Sequence, residues 1–180
     1  MRRAVTSTSS PLSRSILDAW STNDRVMRAL VEQLPDAVLD AAIPEIPRRT
    51  VRVIAAHVHN ARAAWIKTLG APHGVAVPAK VDRLHATRAQ LVRALERSGR
   101  GIASLLTLAL EHDGGIPPTR SYVWRNLALD AGHVLTYFVA HEAHHRGQIV
   151  LAARQMGERL PASVTNGLWQ WKKRAAEAER

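Results

Sequence analysis

Three imidazoles and a carboxylate crowd the run His141-Glu142-Ala143-His144-His145. Imidazole is the commonest protein ligand for divalent metals, and its charge changes closest to neutral pH. On a helix, His141 and His145 stand one turn apart on one face, so both rings can reach a single ion. His144 also pairs with His141, at a spacing of three, but lies about 100° back from His145, toward the flank. Val134, Tyr137, Phe138, Gln148 and Ala152 continue the face of His141 and His145, which marks it as the core side. The chain contains no cysteine. Any metal must therefore be held by nitrogen and oxygen donors, and neither thiolate ligands nor disulfides are available.

The pattern H-E-x-x-H also occurs in zinc peptidases, which need a third ligand downstream. Where one class would place a glycine and a third histidine, this chain has Gln148 and Leu151. The later acids Glu158, Glu177 and Glu179 lie beyond Gly157 or in the tail. No segment reads as the edge strand against which such enzymes align a peptide. A peptidase is not expected.

The elements that must position these histidines are helical throughout. Ser13 to Leu34 carries Ile16, Trp20, Met27, Leu30 and Leu34 in steps of three and four, and Pro35 ends it. Asn23 interrupts that apolar stripe, as a hydrogen-bonded core residue or as support for a site. A proline-rich connection follows, from Pro35 to Arg49. Thr50 is placed to cap a second helix that runs to Leu69 and stops at Gly70. On its stripe of Ile54, Val58, Ala61, Trp65 and Leu69, His57 lies about 60° from Ile54 and His59 about 140° away. That spacing turns His57 inward and His59 outward. Val81 to Leu110 has helical periodicity that includes Leu84, with Ser98, Gly99 and Gly101 as the place where it is expected to kink or split in two. A long helix is expected from about Asn126 to Met156, and a short last one from Ala162 into the charged tail. Without period-two alternation the chain is all-α, and helices joined by short loops pack most simply as an up-and-down four-helix bundle with a short additional C-terminal helix.

With 180 residues, 46% of them hydrophobic, there is material for one core and no requirement for a second domain. Residues 1–12 read as a disordered leader and residues 13–180 as a single domain. No apolar run reaches the ~20 residues of a membrane span, and a soluble, cytoplasmic protein is expected. The formal net charge is +10, yet the arginines form no dense run and no aromatics alternate with them. Nucleic acid is therefore expected to bind only by nonspecific attraction.

Two motifs add a resemblance to this reading. "AHEAHHRGQIVLAARQMGERLP" (residues 140–161) resembles the H-x-x-x-H-R-G-Q signature of the DinB/YfiT-like metalloenzyme family. "AAHVHNARAAWIKTLG" (residues 55–70) is similar to its second helix, with His57 followed eight positions later by Trp65, and residues 17–35 are similar to its first. The resemblance implies a four-helix bundle that forms a homodimer and binds one divalent metal through His57, His141 and His145, with water completing the coordination. Zinc or nickel suits three imidazoles, as do iron and copper. Relatives include thiol-dependent transferases and an isomerase, which implies a small-molecule substrate and a low-molecular-weight thiol cosubstrate. A small-molecule hydrolase with Glu142 as base, or a non-catalytic metal-binding or stress-response module, remains the alternative. Arg146 stands as a binder of an acidic substrate group or a helix–helix ion pair, and Gln148 as a residue that orients a ligand.

Overall fold

In the computed structural model, which describes residues 10–40, 42–43, 46, 48–122 and 126–177, each of the four long helices starts at a side-chain cap. Ser10 accepts a hydrogen bond from the Ser13 amide and Pro11 sits in the first turn, so α1 spans Pro11–Gln33. It begins inside the segment expected to be a leader; residues 1–9 lie outside the described residues. After the short α2 (Asp36–Leu39), Thr50 accepts from the Val53 amide and opens α3 (Val51–Trp65). Thr87 and Gln90 form a reciprocal capping box at the start of α4 (Arg88–Glu111). Asp130 caps α5 (Ala131–Gln155) through the His133 amide. Two short helices, α6 (Ala162–Gly167) and α7 (Trp171–Ala175), replace the single C-terminal helix expected. The second is turned onto α1, where Arg25 donates to the carbonyls of Arg174 and Ala175.

The four long helices α1, α3, α4 and α5 pack on one another. Their apolar faces divide between two clusters, one around Leu30, Ile54, Leu95 and Ile149, the other around Trp20, Trp65, Leu105 and Phe138. No strand occurs among the described residues, and none of their helices is long and apolar enough to cross a membrane.

Three local expectations are corrected. Gly70 does not stop α3 in a left-handed conformation. The chain continues through a π-turn at Ile66–Gly70 and reverses at Gly74, where φ is +84°. Gly70 is instead required by contact, because a Cβ there would come within 2.9 Å of the Val75 side chain. Leu84 is exposed, not core, since Asp82 turns the chain by accepting from the Leu84 amide before α4 begins. Helix α4 runs unbroken through Gly99 and Gly101, which serve close approach: a Cβ on Gly99 would lie 2.5 Å from the Asp24 carboxylate, and one on Gly101 2.5 Å from Ile66.

The segment between α3 and α4 is stitched to α3 by side chains. Asn60 donates to the Val81 carbonyl and accepts from its amide, at 3.1 and 3.0 Å. His59 Nε2 meets the Ala79 carbonyl at 3.0 Å, so it is the protonated nitrogen. His59 is fully buried and His57 exposed, the reverse of the orientation that periodicity suggests. The reason is this returning segment, which covers the His59 side of α3.

Candidate metal centre

Helix α3 contributes His57 and helix α5 contributes His141 and His145. One nitrogen from each ring can be chosen so that all three lie within 4.8 Å of one another. Ring centroids are 4.5 Å apart for His141 and His145, 4.9 Å for His57 and His145, and 5.5 Å for His57 and His141. His145 is buried, His141 half-buried and His57 exposed, so the cluster opens to solvent on the His57 side. Tyr137 stacks nearly parallel to His141, one turn earlier on α5.

Protonation follows from the partners. Gln148 Oε1 accepts from Arg49 Nη2 at 3.3 Å and from His145 Nδ1 at 2.9 Å. His145 is then the Nδ1–H tautomer, and its Nε2 lone pair faces His141 Nε2 at 3.1 Å. Gln148 Nε2 donates to His144 Nε2 at 2.9 Å. Burial first, then the charges of neighbouring imidazoles, push His141 and His145 down to about 4. Burial, followed by the Arg83 and Arg49 charges, also lowers His57. At neutral pH all three rings therefore present lone pairs. Each neutral ring has one nitrogen without a proton that is able to bind a cation, and the 3.1 Å Nε2–Nε2 contact is a hydrogen bond only while His141 carries its proton on Nε2. The donor set thus fits a divalent metal with nitrogen preference.

Beneath the histidines lies a buried ionic network that the sequence reading did not assemble. Arg62 of α3 donates to Glu142 of α5 through Nε to Oε1 at 2.7 Å and Nη2 to Oε2 at 2.8 Å. Its Nη1 reaches Asp24 of α1 at 2.6 Å and the Leu95 carbonyl of α4 at 3.0 Å. Burial works against the Arg62 charge, but the Glu142 and Asp24 carboxylates hold its pKa above the ordinary arginine value. Asn23 donates to Glu142 Oε2 at 2.8 Å and accepts from Arg146 at 3.0 Å.

The profile of the DinB family matches residues 4–176, nearly the whole chain. The chain belongs to the DinB family. No curated protein matches it.

In this DinB-family chain the structure brings together His57, His141 and His145, with Gln148 against His145. Asn23 and Arg146 do not join them: both are buried, and both hydrogen bond within the Glu142 network. Glu142, the base of the hydrolase alternative, is completely buried and bidentately paired, so it is unable to serve as a solvent-facing base. Gly147 has nothing within 4 Å of its would-be Cβ, so no neighbouring helix requires a glycine there. The signal for Arg62 was present in the sequence. It falls between Val58 and Trp65 on the apolar stripe of α3, and a charge on such a stripe demands buried partners. Arg49 carried no comparable signal.

Proposed function

We propose that His57, His141 and His145 hold one divalent cation, zinc or nickel by donor preference, and that the protein is a metal-dependent transferase or isomerase using a small thiol. The observation that carries the metal reading is the convergence of one nitrogen from each of the three rings within 4.8 Å, with His145 held as the Nδ1–H tautomer so that its Nε2 points into the cluster. When bound, the cation supplies Lewis acidity, which lowers the pKa of a coordinated thiol and makes it a nucleophile near neutral pH.

The chain's own residues supply position and access. Gln148 locks the His145 ring, and Arg49 holds the Gln148 amide. Tyr137 flanks His141. The exposed edge of His57 leaves the solvent side open, as a catalytic site requires and a closed structural site does not. A thiol-dependent reading also agrees with a chain that has no cysteine nucleophile of its own. Burial and pairing of Glu142 favour this over hydrolysis with that residue as base.

The test is calorimetric titration of small thiols, such as 2-mercaptoethanol and cysteine, into metal-loaded and metal-stripped protein. Binding that requires the metal supports the reading. Equal or absent thiol binding in both forms removes the transferase reading while leaving metal occupancy to be judged on its own.

A further inference from the structure

On the open side of His57 two cavities adjoin, of about 780 Å³ and about 350 Å³, and both are lined by Arg48, Val53, His57 and Arg83. Lys80 lines the larger one and Arg49 the smaller. The single acid on these walls, Asp82, is engaged: its carboxylate accepts from the Leu84 amide and pairs with His85 at 2.8 Å. Arg49 is occupied by Gln148, but among the described residues Arg48, Lys80 and Arg83 have neither an acidic nor a hydrogen-bonding partner. Arg48 also adopts φ of +67°, a left-handed backbone that is uncommon for a side-chain-bearing residue and recurs at ligand-holding positions. The segment that carries Lys80 and Arg83 is pinned to α3 by Asn60 and His59. The cationic wall is therefore held against the helix that presents His57.

We propose that this cavity binds the oxyanion group of a small anionic substrate, with Arg48 and Arg83 as its principal contacts and Lys80 at its edge, so that the rest of the substrate lies beside His57. The proposal rests on the small-molecule reading above for its purpose, though not for its chemistry. Unpaired guanidiniums in a concave site of this volume bind carboxylate or phosphoryl oxygens by charge-assisted hydrogen bonds. Basic residues spread over an open surface attract anions weakly and without preference. Here the exposed Arg48, Lys80 and Arg83, from two separate chain segments, line the same cavity as the His57 imidazole.

The experiment titrates metal-stripped protein with succinate, inorganic phosphate and the neutral analogue succinamide, following the His57 ring by NMR. Succinate or phosphate is expected to saturate and shift that resonance, whereas succinamide is not. Whichever anion binds more tightly distinguishes a carboxylate from a phosphoryl substrate. Arg48→Gln and Arg83→Gln should each weaken anion binding about tenfold, the scale of one charge-assisted hydrogen bond. Arg100→Gln makes the same change of net charge in a different cavity and should leave binding unaltered. Equal responses to succinate and succinamide, or an Arg100→Gln effect as large as that of Arg83→Gln, would overturn the proposal. Because the titration uses stripped protein, its outcome is independent of whether metal binds the histidines.

Discussion

Arg62 and Glu142 join α3 to α5 by two parallel hydrogen bonds of 2.7 and 2.8 Å with no solvent access. Arg62 stands five residues after His57, and Glu142 directly follows His141. The pair thus fixes the relative register of the two helices that carry the histidines. Trp20 lies under the guanidinium at 4.8 Å, and Asp24 takes its remaining edge, so α1 joins the same clamp.

Breaking the clamp from one side should cost far more than removing it. Arg62→Met leaves Glu142 and Asp24 buried without their shared cation and is expected to destabilise the fold by about 3–5 kcal/mol. The double variant Arg62→Met with Glu142→Met should cost less than the sum of the two single changes. Urea unfolding of the four proteins measures this directly. Additive losses would mean that the two side chains do not act as a unit.

Gln148 should matter to the metal and little to the fold. Its amide is half-buried and holds the Nδ1–H of His145. Gln148→Leu removes that acceptor and is expected to weaken metal affinity by about 10–100-fold, the usual effect of losing a group that orients a ligand. Competition with a chromophoric chelator reads the affinity, and the urea midpoint of the stripped protein should stay close to wild type.

Much of this arrangement was legible in the sequence, and the reasons differ by residue. The i, i+4 spacing of His141 and His145 fixes their shared face, since that geometry is local. Helix caps at Thr50 and terminators at Gly157 are local as well. Periodicity gives the environments of His57 and His59 in reverse, because which side of α3 is covered depends on a nonlocal return of the chain past Ala79. Asn23 and Arg146 were visible as polar residues out of place, but their common partner Glu142 lies more than a hundred positions from Asn23 in the chain. Pattern alone does not pair such residues. The glycines of α4 looked like a kink for a related reason: only the packed structure reveals Asp24 and Ile66 pressed against them.

Those close approaches give a paired prediction. Gly99→Ala places a methyl group 2.5 Å from the Asp24 carboxylate and should destabilise the protein, because Asp24 is itself held by Arg62. Gly147→Ala meets open space on an exposed helical face and should stabilise by up to about 1 kcal/mol through helix propensity. Thermal unfolding of both variants tests the pair. A harmless Gly99→Ala would mean that the network yields easily.

Acid should unfold the metal-free protein early. Unfolded histidines take up protons near pH 6.5, whereas His141 and His145 in the fold do so only at about 4. Between those values the unfolded chain binds more protons, so stability falls as pH drops through that window and is complete above it. The lowered pKa values of His57 and the buried His59 act in the same direction. Urea midpoints of chelated protein at pH 7.5, 6.0 and 5.0, spanning the start of that window, should decline in that order. A constant midpoint would contradict the desolvated, neutral histidines described here.

The central claim is that three particular imidazoles share one ion, and elemental analysis of untagged protein tests it most directly. Wild type should carry about one divalent metal per chain, as a single mononuclear site requires. His144→Ala should retain nearly all of it, since that ring contacts Gln148 and is not one of the three converging histidines. His57→Ala, His141→Ala and His145→Ala should each lose most of the metal. Wild type without stoichiometric metal, or a His145→Ala variant that keeps as much as His144→Ala, would contradict the account.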